Sequence, residues 1–382
     1  METRNSAQQH KDSETAVTAL KASKFRDAQR EASVVLGKDP RNSRAAAVRA
    51  ITAYQEAGNN LIVSLTGVMR HAGGLKFFDH QGARQAWLDF AKALDAIDKD
   101  LAVVAADRDF SMELCLACWE HDWNRSGEID ENDRKMFELE FDGNGGELAE
   151  NDPRRQPTIH FDVGDAEWAR AMIAFQRAAV ELVLAYRWSE LDKLFGNEDD
   201  GTLKITIHLA DPGRVKHARE LVVAGLSYAD KCREAYLAES DDDREWVPNP
   251  RQKSYAMPLQ VDDQLYQTWK GVLGDVRRLL ASEEGISLRE AKRLIDPSER
   301  SEVPDMYIDL GRMLREPKDI VFDIGALEKH SYETFLRGLI GNGYQTKMRP
   351  SPLVARLRGM KDSLDRGEDS LERKLRYLLW LN

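Results

Sequence analysis

Between Asp122 and Asp133 the chain reads Asp-Trp-Asn-Arg-Ser-Gly-Glu-Ile-Asp-Glu-Asn-Asp, with oxygen-bearing side chains at places 1, 3, 5, 9 and 12 of the window and a glycine at place 6. A hard divalent cation gathers six to eight oxygens around one point, and one short segment supplies them only if its backbone turns sharply. Gly127 permits that turn. The side-chain candidates are Asp122, Asn124, Ser126, Asp130 and Asp133; Glu128 would offer its backbone carbonyl, and Ile129 is expected to point into the core beside the metal. The alternative is an Asx-rich turn that caps the following helix and binds nothing.

The window resembles an EF-hand loop, over these twelve residues and their flanks. The resemblance implies calcium as the cofactor, with magnesium a competitor. One departure bears on affinity: place 12 is Asp133, where that family usually has a bidentate Glu, so binding should be weaker and selectivity over magnesium narrower. Met112, Leu114, Cys115, Cys118 and Trp119 upstream, and Met136, Phe137 and Leu139 downstream, fall at helical spacing and predict a helix on each side. A second loop begins at Asp142, Asn144 and Glu147, but its glycine is displaced and Pro153 stands where a twelfth ligand belongs. We read it as a glycine-rich turn, with Asp165 the N-cap of the next helix; a longer loop reaching Asp162 or Asp165 would be the alternative.

A second acidic run, Glu239-Ser-Asp-Asp-Asp-Arg-Glu245, carries five carboxylates in seven residues. It could bind a second cation or act as a paired acid and base; for the catalytic role burial or like-charge crowding would have to move its carboxyls toward neutrality. The prolines and polar residues that follow predict a solvated loop instead. Phosphate-loop, dinucleotide and nucleophile-elbow signatures are lacking: Gly341-Asn-Gly-Tyr-Gln-Thr-Lys has the wrong spacing for a P-loop. No catalytic residue is therefore assigned.

Composition narrows the classes. With 382 residues, 42% hydrophobic, the chain can bury a large core. A net charge of −11 and the absence of a basic stripe argue against nucleic-acid binding. No apolar run reaches membrane-spanning length. The polar N-terminus lacks a signal-peptide core, as it would after removal of a leader. A weak calcium site fills where calcium approaches millimolar, which leans the reading toward the cell envelope or beyond. Three cysteines make no disulfide framework; Cys115, Cys118 and Cys232 are expected as buried thiols.

The elements that must hold these residues are mostly helical. Residues 12–57 read as two helices joined at Asp39-Pro40-Arg41-Asn42, where Phe25, Ala28, Leu36, Asp39, Pro40 and Asn42 are similar in spacing to half of one tetratricopeptide repeat. Two more helices are expected around Ala72-Gly73-Gly74. A central helix follows from about Asp165 to Phe195, striped by Trp168, Met172, Phe175, Ala179, Leu182 and Tyr186. Leu203–Leu209 alternates as a strand, with Thr158–Asp162 its expected partner, and Asp211 opens a helix to about Ala238. Helices broken by prolines fill the rest, and the apolar terminus around Leu371–Leu381 should dock.

The predicted fold is mainly α: a multi-helix bundle or orthogonal helical array with one EF-hand-like hairpin and a minor β element. Its regions are a flexible 1–11, a helical 12–107, the EF-hand-like 108–165, and a helical core with the C-terminal region at 166–382. The predicted function is a calcium-binding interaction or scaffold protein with a protein partner. The alternative is a divalent-metal-dependent enzyme, a hydrolase for example, using 239–245.

Overall fold

The computed structural model describes residues 6–71, 78–123, 125–142, 146–195, 204–256, 261–295, 306–329 and 332–364. The fold is mainly α. Its N-terminal part is α1 (Ser6–Lys21), α2 (Phe25–Lys38), α3 (Ser43–His71) and α4 (His80–Ala105), followed by β1 (Met112–Leu114), the short α5 (Glu131–Lys135) and β2 (Ile159–Phe161). The centre holds α6 (Val163–Ala185), β3 (Lys204–Ile207), α7 (Pro212–Ala238) and α8 (Asp263–Leu280). Then come β4 (Ile286–Ser287), α9 (Leu288–Ile295), β5 (Tyr307–Ile308), α10 (Leu310–Arg315), β6 (Ile320–Asp323), α11 (Ile324–Glu328), α12 (Tyr332–Ile340), β7 (Tyr344–Gln345) and α13 (Leu353–Leu364).

The central helix expected to run to Phe195 ends at Ala185, and 3-10 turns cover Trp188–Phe195; elsewhere the elements differ from the sequence expectation at three places. Residues 12–57 hold a break at Ser23, whose φ of 59° lies in the left-handed region, as well as the one at Asp39–Asn42. Neither glycine nor proline marks Ser23, so periodicity alone runs straight through it. Conversely, α3 continues through Gly58-Asn59-Asn60, because a solvated glycine weakens a helix by only about 1 kcal/mol and flanking turns carry it. Ala72-Gly73-Gly74 and Leu371–Leu381 lie outside the described residues. The third difference is strand pairing: β3 pairs antiparallel with β6, from Lys204↔Asp323 to Ile207↔Ile320, 113 to 119 residues away, while Ile159–Phe161 pairs with β1.

α6 packs along α7 and against α4, and α4 against α3. The face of α6 that vanishes from solvent is built from small residues, Ala166, Ala171, Ala174, Ala178 and Ala185, with Ile173, Val180 and Leu184. Small side chains let helix axes approach closely, whereas the large Trp168 and Phe175 reach outward to pack against Trp269, Val222 and Leu226 from α7 and α8. Asp162 caps α6 in a reciprocal arrangement with Asp165: each carboxylate accepts an amide hydrogen from the other's backbone. The N-cap is thus Asp162, and Asp165 is the third residue of the helix, one turn deeper than the sequence reading placed it.

β1 and β2 are short, but they carry the molecule's two acidic regions on one ladder. β1 leads into the loop at 122–133, and β2 leads into the first turn of α6. Glu245 joins the outer side of β2 through a parallel bridge to His160, and Tyr255 joins Glu245 in turn.

Candidate functional site

The loop at 122–133 winds around Asp122. One oxygen of that carboxylate accepts the Ser126 amide at 2.9 Å and the other accepts the Gly127 amide at 2.8 Å. Two residues take left-handed backbone to bring this about, Arg125 (φ 54°) and Gly127 (φ 99°). The Ser126 hydroxyl donates to the Glu128 carbonyl at 2.9 Å, so oxygens from places 5 and 7 already sit side by side. Asp130 caps α5, accepting the Asp133 amide at 3.0 Å, while Asp133 accepts the amides of Asp130 and Trp123, each at 3.0 Å. The Asx-cap alternative is therefore realised in the backbone. Asn124 lies outside the described residues, and among the described residues no group of three or more His, Cys, Asp or Glu side chains is placed to hold a metal ion.

Three expectations for this region are corrected. The upstream flank is not a helix: Met112–Leu114 is strand β1, followed by a single 3-10 turn at Leu116–Cys118. Met112 and Leu114 alternate inward across a strand, and two-residue spacing followed by a turn mimics a helical stripe. Ile129 does not enter the core but is 38% exposed, as is Met136. Cys115 and Cys118 are joined by a disulfide, leaving Cys232 the free, buried cysteine. Alkylation of the denatured, unreduced protein is accordingly expected to label one cysteine, and three after reduction; labelling of all three without reductant would refute the bridge.

Below the loop lies an aromatic cluster. Phe25 of α2 meets Trp119 edge-on at 5.3 Å and His121 at 4.9 Å, and Trp123 meets Phe137 at 4.9 Å. Burial holds the His121 imidazole below its ordinary pKa. The loop is thus seated on the N-terminal helices, which would feel any change in its shape.

The second acidic region departs most from the sequence reading. Asp241, Asp242 and Asp243 are exposed, as expected of a solvated loop, but Glu245 is only 2% exposed and Glu239 is half-buried. The reason follows from Trp246-Val247-Pro248, all buried: an apolar run entering the core beside Tyr236 and Tyr266 carries Glu245 inward with it. Asp242 fixes the outer turn by accepting the amides of Lys253 and Ser254 at 2.6 and 2.8 Å, and those bonds hold its carboxyl below the ordinary range.

Four carboxyls therefore converge where the N-terminus of α6 meets the C-terminus of α7. Asp165 accepts the Tyr236 hydroxyl at 2.6 Å, and Glu239 hydrogen-bonds with Asp162 and accepts the Gln252 side-chain amide at 3.1 Å. Burial, and then the charge of Asp162, push Asp165 up to about 7 and Glu239 up to about 9. Glu245 is pushed up to about 9 by burial, then by Asp165, Glu239 and Asp162. Burial also raises Asp162, and lifts Tyr236 and Cys232 well above their usual values. Beside Glu239 opens a cavity of about 360 Å³, lined also by Asp241, Asp242, Asn249, Arg251, Gln252 and Lys253.

Sequence reasoning found Glu239 and Glu245 but placed them in solvent, and it treated Asp162 and Asp165 only as loop ends or caps. The apolar run after Glu245 was the available signal. Tyr236, Asn249 and Gln252 carried none, since each is a common residue whose role arises from a partner far along the chain. The chain matches no family model, no curated protein and no solved structure.

Proposed function

We propose that this is a helical calcium-binding protein in which the 122–133 loop takes the cation and sets the surface beside it for a protein partner. The observation that carries the reading is the wrapping of the loop around Asp122, with left-handed backbone at Arg125 and Gly127 and the Ser126 and Glu128 oxygens already adjacent. The donor set fits the ion: Asp122, Asn124, Ser126, the Glu128 carbonyl, Asp130 and Asp133 are all hard oxygen ligands. A bound cation would neutralise this concentration of carboxylates and stiffen the link between α5 and the aromatic seat. Ile129 and Met136, exposed on either side of α5, are the apolar groups a partner would meet.

The short Asp133 makes the site weak, suited to a calcium-rich compartment, and the Cys115–Cys118 disulfide suits an oxidising one. Calcium at about ten times its dissociation constant would add roughly 1.4 kcal/mol of stability by mass action. Terbium supplies the test, because Trp119 and Trp123 lie beside the loop and should sensitise its emission. Calcium is expected to compete the emission away, and Asp122→Asn, which keeps one of the two side-chain acceptors that hold the Ser126 and Gly127 amides, to weaken binding at least about tenfold. Unchanged titration of Asp122→Asn would remove the loop as the binding site.

A further inference from the structure

We infer that the Cys115–Cys118 disulfide is a redox-active pair, opened in the folded protein by a dithiol reductant that enters at Cys118, and that its state sets how firmly the turn before Trp119 is closed. The first ground is access. Cys118 is exposed, so a thiolate reaches its sulfur from solvent, whereas Cys115 is half-buried with its sulfur 3.6 Å from the Gln156 carbonyl. That carbonyl stands ready for the thiol that Cys115 becomes on reduction, so the reduced form gains a weak hydrogen bond that the disulfide cannot make.

The second ground is that the fold does not depend on the bridge. It joins residues three apart, and closing so short a ring takes little freedom from the unfolded chain. Both ends of the segment are held by other means. β1 pairs with β2 from Met112↔Phe161 to Leu114↔Ile159, with Met112 and Leu114 buried, and Trp119 is buried against Phe25 and Phe137. A bridge that adds little to the fold and faces solvent can open while its surroundings stay folded. Cys232, buried on α7, is remote from the exchange and serves as a gauge of global opening.

In the exchange, a thiolate of the reductant attacks the Cys118 sulfur, the bond to Cys115 breaks, and the Cys115 sulfur leaves with the electron pair and takes a proton from solvent. The reductant's second thiolate then attacks its own sulfur in the mixed disulfide and releases Cys118, which is protonated in turn. The chain gains two electrons and two protons, and the reductant is left as a disulfide. Opening acts on the turn that the bridge spans, where the Cys118 amide donates to the Cys115 carbonyl and the Trp119 amide to the Leu116 carbonyl, each at 3.1 Å. Without the bridge this turn opens more often, and the backbone leading to the aromatic seat loosens while the Trp119 ring stays packed.

The test treats the full native chain, in chelator, with reduced dithiothreitol and alkylates free thiols without denaturant. Cys115 and Cys118 are expected to label together, Cys232 to stay unlabelled, and excess oxidised dithiothreitol to restore the bridge. Amide hydrogen exchange at Cys118 and Trp119 should quicken at least about tenfold in the reduced form, while α2 and α6 keep their protection. Of the single variants, Cys115→Ser, which keeps Cys118, should react with dithiodipyridine at least about tenfold faster than Cys118→Ser, which keeps Cys115. No reduction of the native protein at about 10 mM dithiothreitol, labelling of Cys232 in step with the other two, unchanged exchange at Cys118 and Trp119, or equal reactivity of the two variants would overturn the proposal. Because the chelator keeps the 122–133 loop free of cation throughout, failure of the calcium reading leaves every one of these outcomes as stated.

Discussion

In chelating buffer the melting temperature should fall continuously as the pH is raised from about 5 to about 9, and Glu245→Gln should flatten the fall. Asp165 is held up to about 7, and Glu239 and Glu245 up to about 9, by burial and by one another. In the unfolded chain the same groups ionise near 4, so across that window the native state carries more protons than the unfolded state. A carboxyl raised in this way stabilises the fold relatively at low pH and loses that advantage as the pH climbs through the interval. The slope approaches about 1.4 kcal/mol per pH unit for one fully buried group, and it ends above about pH 9, where native and unfolded forms are equally ionised. Removing Glu245's charge removes one such group, so Glu245→Gln should gain most over the parent at the alkaline end. A chain of this kind that grew more stable from pH 5 to 9 would show that the four acids are not crowded together in the folded state.

Gly164→Ala should destabilise the protein by about 2 kcal/mol, against the ordinary gain from alanine in a helix. A Cβ at this position would come within 2.5 Å of the Tyr236 ring, which lies over the first turn of α6 with its hydroxyl on Asp165. Tyr236 is 1% exposed and has nowhere to retreat. Displacing it separates α6 from α7 at the point where the carboxyls meet, so loss of packing and loss of a buried hydrogen bond add. Gly58→Ala is the matched control, since nothing lies within 4 Å of a Cβ there; it should hold or raise the melting temperature. Equal behaviour of the two variants in thermal melts would mean that α6 and Tyr236 are not in close approach.

The pairing of these two helices was not legible beforehand, although each helix was. Asp211 followed by Pro212 marked the start of α7, and the apolar character of α6 marked it as central. What periodicity could not supply was how the faces divide: Trp168 and Phe175 pack against α7 and α8, while the most deeply buried surface is the alanine side. In the same way the spacing of Met112, Leu114, Cys115 and Cys118 fits a helix and a strand-plus-turn about equally well over so few residues. Pairing with Ile159–Phe161, and the bridge between the cysteines, selected the second.

The order of residues by itself determined a mainly helical chain, the turn at Gly127 with Asp122 and Asp130 as its local caps, and the start of α7 at Asp211. Those are short-range effects, fixed by hydrogen bonds between residues at most five apart. Tertiary structure alone decided that Glu245 would be buried and that the charges of Asp165, Glu239 and Asp162 would act on it, because the segments around 162–165 and 239–245 are about 75 to 80 residues apart. Packing of Trp246 and Tyr236 in one apolar core brings those segments together, and a carboxyl's chemistry follows from the neighbours and the water that such packing leaves it.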